Sequence, residues 1–167
     1  MEINQPAAIK VRPLTAADAE SCDAVILSLP YHFGDAAGRR ECARAVRTSD
    51  GLVALLDGHV VEFLTVQRHF ETSAEITWMA VHAAHRGRGV GRALIEHLCR
   101  ELRAEGRQLL LVMTLAAGHD EGDVADGYHR TRAFYRALGF IPAREFPAYW
   151  PNSPALLLAL PLLQGSP

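Results

Sequence analysis

The chain is organised around a strand, a loop of arginine and glycine, and the start of a helix. Residues 75–92 read Glu75-Ile-Thr-Trp-Met-Ala-Val-His-Ala-Ala-His-Arg-Gly-Arg-Gly-Val-Gly-Arg92. Glycines let the backbone turn tightly and approach a ligand. No Ser, Thr, Asp or Asn caps the helix that begins near Val90, so its first N–H groups lack a side-chain acceptor. These N–H groups, with Arg86, Arg88 and Arg92, predict an anion site suited to phosphates.

Two other phosphate-binding motifs do not fit this loop. The dinucleotide fingerprint needs a small residue where Arg92 stands, and an acidic residue about 20 residues later. The nucleoside-triphosphate loop needs Gly-Lys-Ser/Thr, but Lys10 is the only lysine of the chain. The loop therefore indicates a nucleotide-like cofactor of another kind; the alternative is a glycine-rich turn with solvated arginines.

Composition favours one ordinary domain. The chain has 167 residues, of which 49% are hydrophobic, enough for a sizeable core. Its net charge of -2 gives no electrostatic case for a nucleic-acid or membrane partner. The three cysteines form no CxxC pair, which is typical of reduced thiols in a cytoplasmic protein. We expect a domain over residues 9–161, with flexible termini at 1–8 and 162–167.

Periodicity and turn signals predict the order of the elements. Asp57-Gly58 predicts a two-residue hairpin, and the Gly-, Ala- and Asp-rich segment 116–127 reads as a loop in which Asp126 caps the last helix. The order β-α-α-β-β-β-α-β-α-β-β predicts a mixed α/β sheet. The predicted strands are 9–14, 51–56, 59–67, 75–82, 108–115, 140–146 and 155–160, and the predicted helices are 15–29, 39–48, 90–105 and 128–138.

Two motifs resemble one family. The pattern Arg86-x-x-Gly89-x-Gly91, after an apolar strand and before an amphipathic helix, is similar to the acyl-CoA pyrophosphate loop of the GNAT superfamily of N-acetyltransferases. The segment 131–140, with Phe134-Tyr135, resembles a later helix of that family. The resemblance implies an α/β fold with a central, splayed, mostly antiparallel sheet flanked by helices, and acetyl-CoA as co-substrate.

The resemblance also implies roles for individual residues. The strand ending at Val81 and the strand 108–115 would diverge around the pantetheine arm. Glu75 would act as base through a water, Tyr135 would protonate the leaving thiolate, and the N–H of Ala80 or Val81 would donate to the thioester oxygen. The implied cofactor-binding residues are Met79, Ala80, Val81, Arg86, Gly87, Arg88, Gly89, Val90, Gly91, Arg92 and Phe134.

The base has a second candidate. An alkylamine with a pKa of about 10 must lose a proton before it can attack. By the two-residue period of a strand, Glu75 shares a face with Met79 and Val81. Glu62 lies in an apolar run, so burial could raise its pKa. No cysteine has a recognised nucleophile setting, which favours direct transfer in a ternary complex over a covalent intermediate.

The acceptor side is less defined. One acidic loop (His119, Asp120, Glu121, Asp123 and Asp126) and one aromatic loop (Tyr31, His32 and Phe33) are candidate rims of the acceptor pocket. The acceptor is expected to be a small-molecule or peptide amine. We predict no metal site, because His82 and His85 have no cysteine or carboxylate close by. A homodimer is possible. The alternative function is a non-catalytic acyl-CoA-binding or sensing domain.

Overall fold

A computed structural model describes residues 8–117, 123–151 and 153–162, without the side chains of 123–127. Within those ranges, seven strands and four helices follow the predicted order, with short 3-10 turns at Ala16–Asp18 and Ala83–His85. The strands are β1 (Lys10–Pro13), β2 (Gly51–Leu56), β3 (His59–Phe70), β4 (Ser73–Val81), β5 (Leu109–Leu115), β6 (Ile141–Trp150) and β7 (Ser153–Pro161); the helices are α1 (Ala19–Leu27), α2 (Ala36–Thr48), α3 (Val90–Ala104) and α4 (Asp123–Ala137).

The strands form one mixed sheet in the order β1-β2-β3-β4-β5-β7-β6. Only β4 and β5 pair in parallel, through a crossover that contains α3; the other described pairs are antiparallel. The predicted mixed, mostly antiparallel α/β fold is therefore confirmed. The bounds of the predicted domain, 9–161, stay a prediction.

Helices cover both faces of the sheet. On one face, α3 buries Leu94, Leu98 and Leu102, whose four-residue spacing makes one apolar stripe. On the other face, α1 and α2 bury a second cluster around Val25 and Phe63. Each fully buried side chain of this kind contributes roughly 1.5–3 kcal/mol to the free energy of folding, so the helices on both faces stabilise the sheet. None of the helices in the described ranges has the length and apolarity to cross a bilayer.

Several element boundaries differ from the prediction, among them the start of α2 at Ala36 and the end of β3 at Phe70. Two further differences, in α4 and β6, have a clear physical reason. Helix α4 begins at Asp123, so the expected loop up to residue 127 is partly helical and Asp126 is inside the helix rather than at its cap. The internal Gly127 costs about 1 kcal/mol relative to alanine, which a helix with other support tolerates. Strand β6 extends to Trp150 despite Pro147, because it is an edge strand, where a missing N–H removes no ladder bond.

Candidate active site

Strands β4 and β5 separate after a short paired segment. Their ladder runs from Ser73–Leu109 to Ile76–Val112. Beyond it, β4 continues beside β3 as far as Val81, and β5 continues beside β7 as far as Leu115. The predicted divergence is confirmed. Beyond the paired segment the two strands enclose a wedge, and the backbone groups of β4 that face β5 there have no ladder partner. Because backbone N–H and C=O groups need hydrogen-bond partners, these groups are available to a ligand.

A bulge in β4 changes which side chains share a face. Val66 pairs with Ile76 but the preceding residue of β3, Thr65, pairs with Trp78, so Thr77 is an extra residue. As a consequence, Ile76 and Met79, three residues apart, both pack on the face of the sheet that α3 covers. Trp78 packs on the opposite face, which α1 and α2 cover.

The bulge corrects the predicted position of Glu75. The two-residue period placed Glu75 on the face of Met79 and Val81, which is wrong because the period is interrupted at Thr77. Glu75 alternates with Ile76 and therefore points to the α1–α2 side, as Trp78 does. Its Oε2 lies 2.6 Å from Nε2 of His69, and its side chain is 23% exposed.

The arginine–glycine loop leads into α3 without a side-chain cap. Gly87 and Gly89 have φ values of 75° and 79°, and Gly89 is the N-cap residue, with no side-chain hydrogen bond to the helix. Such left-handed backbone is costly for residues with a Cβ. The predicted missing cap is confirmed, so the first N–H groups of α3 are available to an acceptor from outside the helix.

Arg86 of this loop is influenced by the charge of Arg130, which belongs to α4. Burial and the charge of Arg130 both lower the pKa of Arg86. Nη2 of Arg86 also lies 3.4 Å from Nε2 of His32, in the aromatic loop. Arg88 is exposed, and Arg92 instead forms an ion pair with Glu96 at 3.6 Å. No pattern within the sequence indicated Arg130, because its influence on the loop depends on how α4 packs.

Gly91 is required by packing inside the protein. A Cβ on this residue would lie 3.0 Å from Cζ of Phe134 and 3.2 Å from Oε1 of Glu62. Helix α4 therefore contacts the first turn of α3 through Phe134, which is half-buried. Val90, beside it, is buried in the core. The motif predicts a glycine at position 91 because a ligand approaches closely. The structure adds a second reason, which is the lack of space for a Cβ beside Phe134 and Glu62.

Tyr135 is buried where α4 meets β4. Its hydroxyl donates to Sδ of Met79 at 3.6 Å, and its ring packs edge-on against Phe140. Burial, followed by the charge of Glu62, raises its pKa above the usual value. The structure thus brings together Tyr135, the predicted acid, and Met79, one of the predicted cofactor-binding residues of β4.

Arg132 links α4 to the open end of the wedge. This side chain is buried, and its Nη1 donates to the carbonyl oxygen of Leu115 at the end of β5, at 2.9 Å. The sequence analysis did not single it out. The sequence does contain a pattern that could have indicated Arg132. The three residues Tyr128, Arg132 and Tyr135 have the i, i+4, i+7 spacing that places side chains on one face of a helix.

The two glutamates proposed as base have opposite environments. Glu62 is 0% exposed, and neither carboxylate oxygen has a hydrogen-bond partner. Desolvation raises its pKa well above the usual value, as the apolar run predicted. Glu75 is partly exposed and paired with His69. Glu62 faces Gly91 and α4, whereas Glu75 faces the α1–α2 side, so the sheet separates them.

Aromatic residues line the α1–α2 side of β4. Phe33 of the aromatic loop stacks on Trp78 with ring centroids 6.1 Å apart, and Tyr31 is exposed. A cavity of about 480 Å³ lies next to them, between α2 and β3–β4, and is lined in part by Asp50, Thr77 and Trp78. The acidic residues of the other predicted rim, His119, Asp120, Glu121, Asp123 and Asp126, lie outside the side chains that the structure describes.

The cysteines are enclosed and no metal site is formed by described side chains. Burial raises the pKa of Cys22 and Cys42 to about 12, and it also raises that of Cys99. Buried thiols of this kind are inert as nucleophiles. In the part of the chain that the structure describes, no three His, Cys, Asp or Glu side chains are placed to hold a metal ion.

Comparison with solved structures finds the same fold repeatedly. A GNAT-family protein from Desulfovibrio desulfuricans superposes with a TM-score of 0.80 at 20% identity, over 93% of this chain and 100% of that one. The ribosomal-protein-S18-alanine N-acetyltransferase of Escherichia coli gives 0.75 at 21% identity, over 95% and 97%. An aminoglycoside 6'-N-acetyltransferase complexed with coenzyme A gives 0.70 at 14% identity, over 95% and 99%.

Comparison of the sequence identifies the family. No curated protein matches the chain. The family model described as the acetyltransferase (GNAT) domain matches residues 47–142, from the end of α2 to the start of β6. The match covers more than half of the chain, and it includes the divergent strands, the arginine–glycine loop and the Phe134-Tyr135 helix. The chain belongs to the GNAT family of acetyltransferases.

Proposed function

We propose that this protein is an N-acetyltransferase that moves an acetyl group from acetyl-CoA to a primary amine of a small molecule or peptide. The observation that carries the proposal is the wedge between β4 and β5, which leads to the uncapped N-terminus of α3 and has the Tyr135 hydroxyl beside Met79. The neighbour solved with coenzyme A supports the choice of cofactor.

The cofactor would lie along this wedge. Strand-edge groups of Met79, Ala80 and Val81 would pair with the pantetheine amides, because this segment of β4 has no ladder with β5. The N–H groups of residues 86–92 would hold the pyrophosphate at the helix N-terminus. Arg86, which the charge of Arg130 influences, would add charge-assisted hydrogen bonds.

The chemistry divides between the two sides of the sheet. Glu75 would take the proton of the amine through a water, since it is partly exposed and lies on the α1–α2 side of the sheet. The N–H of Ala80 or Val81 would donate to the oxyanion. Tyr135 would protonate the thiolate. The inert thiols support direct transfer in a ternary complex.

The acceptor would approach from the α1–α2 side. The stacked pair Phe33 and Trp78 offers an apolar wall, and the cavity lining also contains Asp50, whose carboxylate lies 3.4 Å from the guanidinium of Arg68 in the same lining. The neighbours named above include one that acts on a protein alanine and one that acts on an aminoglycoside, so both acceptor classes belong in the test.

The test is release of free thiol from acetyl-CoA in the presence of aminoglycosides, peptides with a free N-terminus and lysine peptides, with the acetylated product confirmed by mass. We expect turnover on one of these classes. Tyr135→Phe should lower kcat by about 10²-fold or more, the usual contribution of a general acid, with the Kd for acetyl-CoA unchanged. Cofactor binding without turnover on any amine would instead favour an acyl-CoA sensor.

A further inference from the structure

His82 holds the turn that joins β4 to the arginine–glycine loop. Its ring Nδ1 accepts a hydrogen bond from the N–H of Ala84 at 3.2 Å, and its carbonyl oxygen accepts from the N–H of His85 at 2.9 Å. The imidazole is therefore the N-cap of the 3-10 turn Ala83–His85. Because Arg86 follows this turn directly, the turn sets the direction in which the chain enters the loop.

The other hydrogen bonds of this turn anchor it to β3 and α1. The N–H of His82 donates to the carbonyl oxygen of Val61 at 2.8 Å, and the N–H of Ala83 donates to Oγ of Ser28 at 3.1 Å. Ser28 ends α1, and its hydroxyl donates to the carbonyl oxygen of Val25 at 2.7 Å. These partners do not titrate, whereas an imidazole does, so the cap on Ala84 is the contact that pH can change.

The cap requires a neutral ring. An imidazole nitrogen that accepts from a backbone N–H carries no proton, so neutral His82 has its hydrogen on Nε2. A protonated imidazole has a hydrogen on both nitrogens and accepts on neither. Histidine side chains in general change their charge between about pH 5 and pH 8. The cap is therefore present at the upper end of this range and is lost as the pH falls.

A cavity gives solvent protons access to the ring. It has a volume of about 420 Å³, lies between α1, the β2–β3 hairpin and the turn, and has both His82 and His85 in its wall. These two rings are 5.5 Å apart. The other ionisable groups in the lining are His59, from β3, and the ion pair between Arg12 and Asp18 at 2.7 Å. The groups that face His82 are thus two imidazoles and a pair whose charges offset each other.

We propose that His82 is a positioning residue for the pyrophosphate loop, and that its cap makes the affinity for acetyl-CoA depend on pH; this inference rests on the proposed function. With neutral His82, the turn is fixed and the loop N–H groups are preorganised for the phosphates. With protonated His82, the N–H of Ala84 loses its acceptor and the loop must be ordered on binding. Attraction between the protonated ring and phosphate acts the other way, but such attraction is weak between solvent-exposed groups, so acetyl-CoA binds more weakly as the pH falls.

The test compares two substitutions of His82 at two pH values. Asparagine is among the best N-cap residues and does not titrate, so the Kd of His82→Asn for acetyl-CoA should equal the wild-type Kd at about pH 8 and be about fivefold lower than it at about pH 5.5. His82→Ala has no acceptor at any pH, and its Kd should exceed that of His82→Asn about fivefold at both. Titration of the phosphates of the cofactor is common to all variants and cancels from these ratios.

The pH dependence separates this role from a purely structural one. His59→Asn, at an exposed position in the same cavity lining, is the matched control and should follow the wild type at both pH values. If the Kd of His82→Asn differs from that of the wild type by the same factor at both pH values, the proposal is overturned. Tighter binding by the wild type than by His82→Asn at the lower pH would also overturn it, because attraction to the protonated ring would then prevail. The comparison with His82→Asn stands even where His82→Ala lowers the Tm.

A spectroscopic measurement tests the cap without any cofactor. In nitrogen-15 NMR spectra at about pH 8, the imidazole signals that His82→Asn removes should be those of the tautomer with its hydrogen on Nε2. The other tautomer would overturn the proposal whatever the affinity. If the wild type binds no acetyl-CoA, the proposed function fails and the coupling fails with it. The Nε2–H tautomer in that case shows that the error lies in the assignment of the loop to the cofactor and not in the cap.

Discussion

Substitution of Gly89 by alanine separates backbone strain from cofactor binding, because the fold contains a matched glycine elsewhere. Gly89 at the start of α3 has a φ of 79°, and Gly58 in the β2–β3 hairpin has a φ of 81°. A Cβ on either residue would meet no protein atom within 4 Å. The two substitutions therefore impose the same conformational cost, and only Gly89 lies at the proposed phosphate site.

The expected stability loss is equal in the two variants. Left-handed backbone costs about 1–2 kcal/mol for a residue with a Cβ. A gain of about 0.4–1 kcal/mol from the stiffer unfolded chain offsets part of it. The net loss is about 1 kcal/mol, which lowers the Tm of a domain of this size by about 2–4 °C.

The expected affinity loss is confined to Gly89→Ala. If its methyl group displaces one N–H to phosphate hydrogen bond, about 1.5–3 kcal/mol of binding free energy is lost, which is about 10–150-fold in the Kd for acetyl-CoA. Isothermal titration calorimetry gives the Kd and differential scanning fluorimetry the Tm. Equal Kd values for the Gly58→Ala and Gly89→Ala variants would refute the assignment of the loop to the pyrophosphate.

Three further predictions concern the base, the acid stability and the thiols. Glu75→Gln should lower kcat by about 10²-fold at neutral pH with less effect at high pH, where the amine is already deprotonated; rates that fall equally at all pH values would count against Glu75 as the base. Arg12 and Thr15 hold the pKa of Asp18 at about 2, below an unfolded value of about 3.9, so its contribution is present above pH 4 and lost as the pH falls towards 2. Unfolding free energies of the wild type and Asp18→Asn should differ by on the order of 1–2 kcal/mol at pH 7 and converge at low pH; a constant difference would contradict this. Iodoacetamide should leave all three buried cysteines unmodified in the native protein, by mass spectrometry, and modify them after denaturation; rapid native labelling with loss of activity would argue for a thiol role.

Local features of this protein were readable because each depends on neighbours along the chain. The hairpin at Asp57-Gly58 requires two residues with positive φ, which the dipeptide supplies and the structure has. The uncapped start of α3 follows from the residue types before Val90. The enclosure of Glu62 followed from the apolar residues on either side of it. Backbone preference and periodicity act over a few residues, so a single sequence reveals them.

Other features depended on contacts between distant segments. The extra residue Thr77 arises from the pairing of β4 with β3, and it decides that Glu75 points away from Met79. The length of α4 exceeded its local signals, because contacts with other elements outweigh the cost of an internal glycine.

The arginine–glycine loop shows which features depend on the local sequence and which depend on the tertiary structure. By itself the sequence determined that residues 86–92 would form a glycine-rich turn into an uncapped helix, since this depends on residue types in one short segment. Only the tertiary structure brought the charge of Arg130 to bear on Arg86, and placed Glu62 and Phe134 against Gly91. Those residues come from the arginine–glycine loop, β3, α3 and α4, and their nearness is a result of how helices pack on a particular strand register.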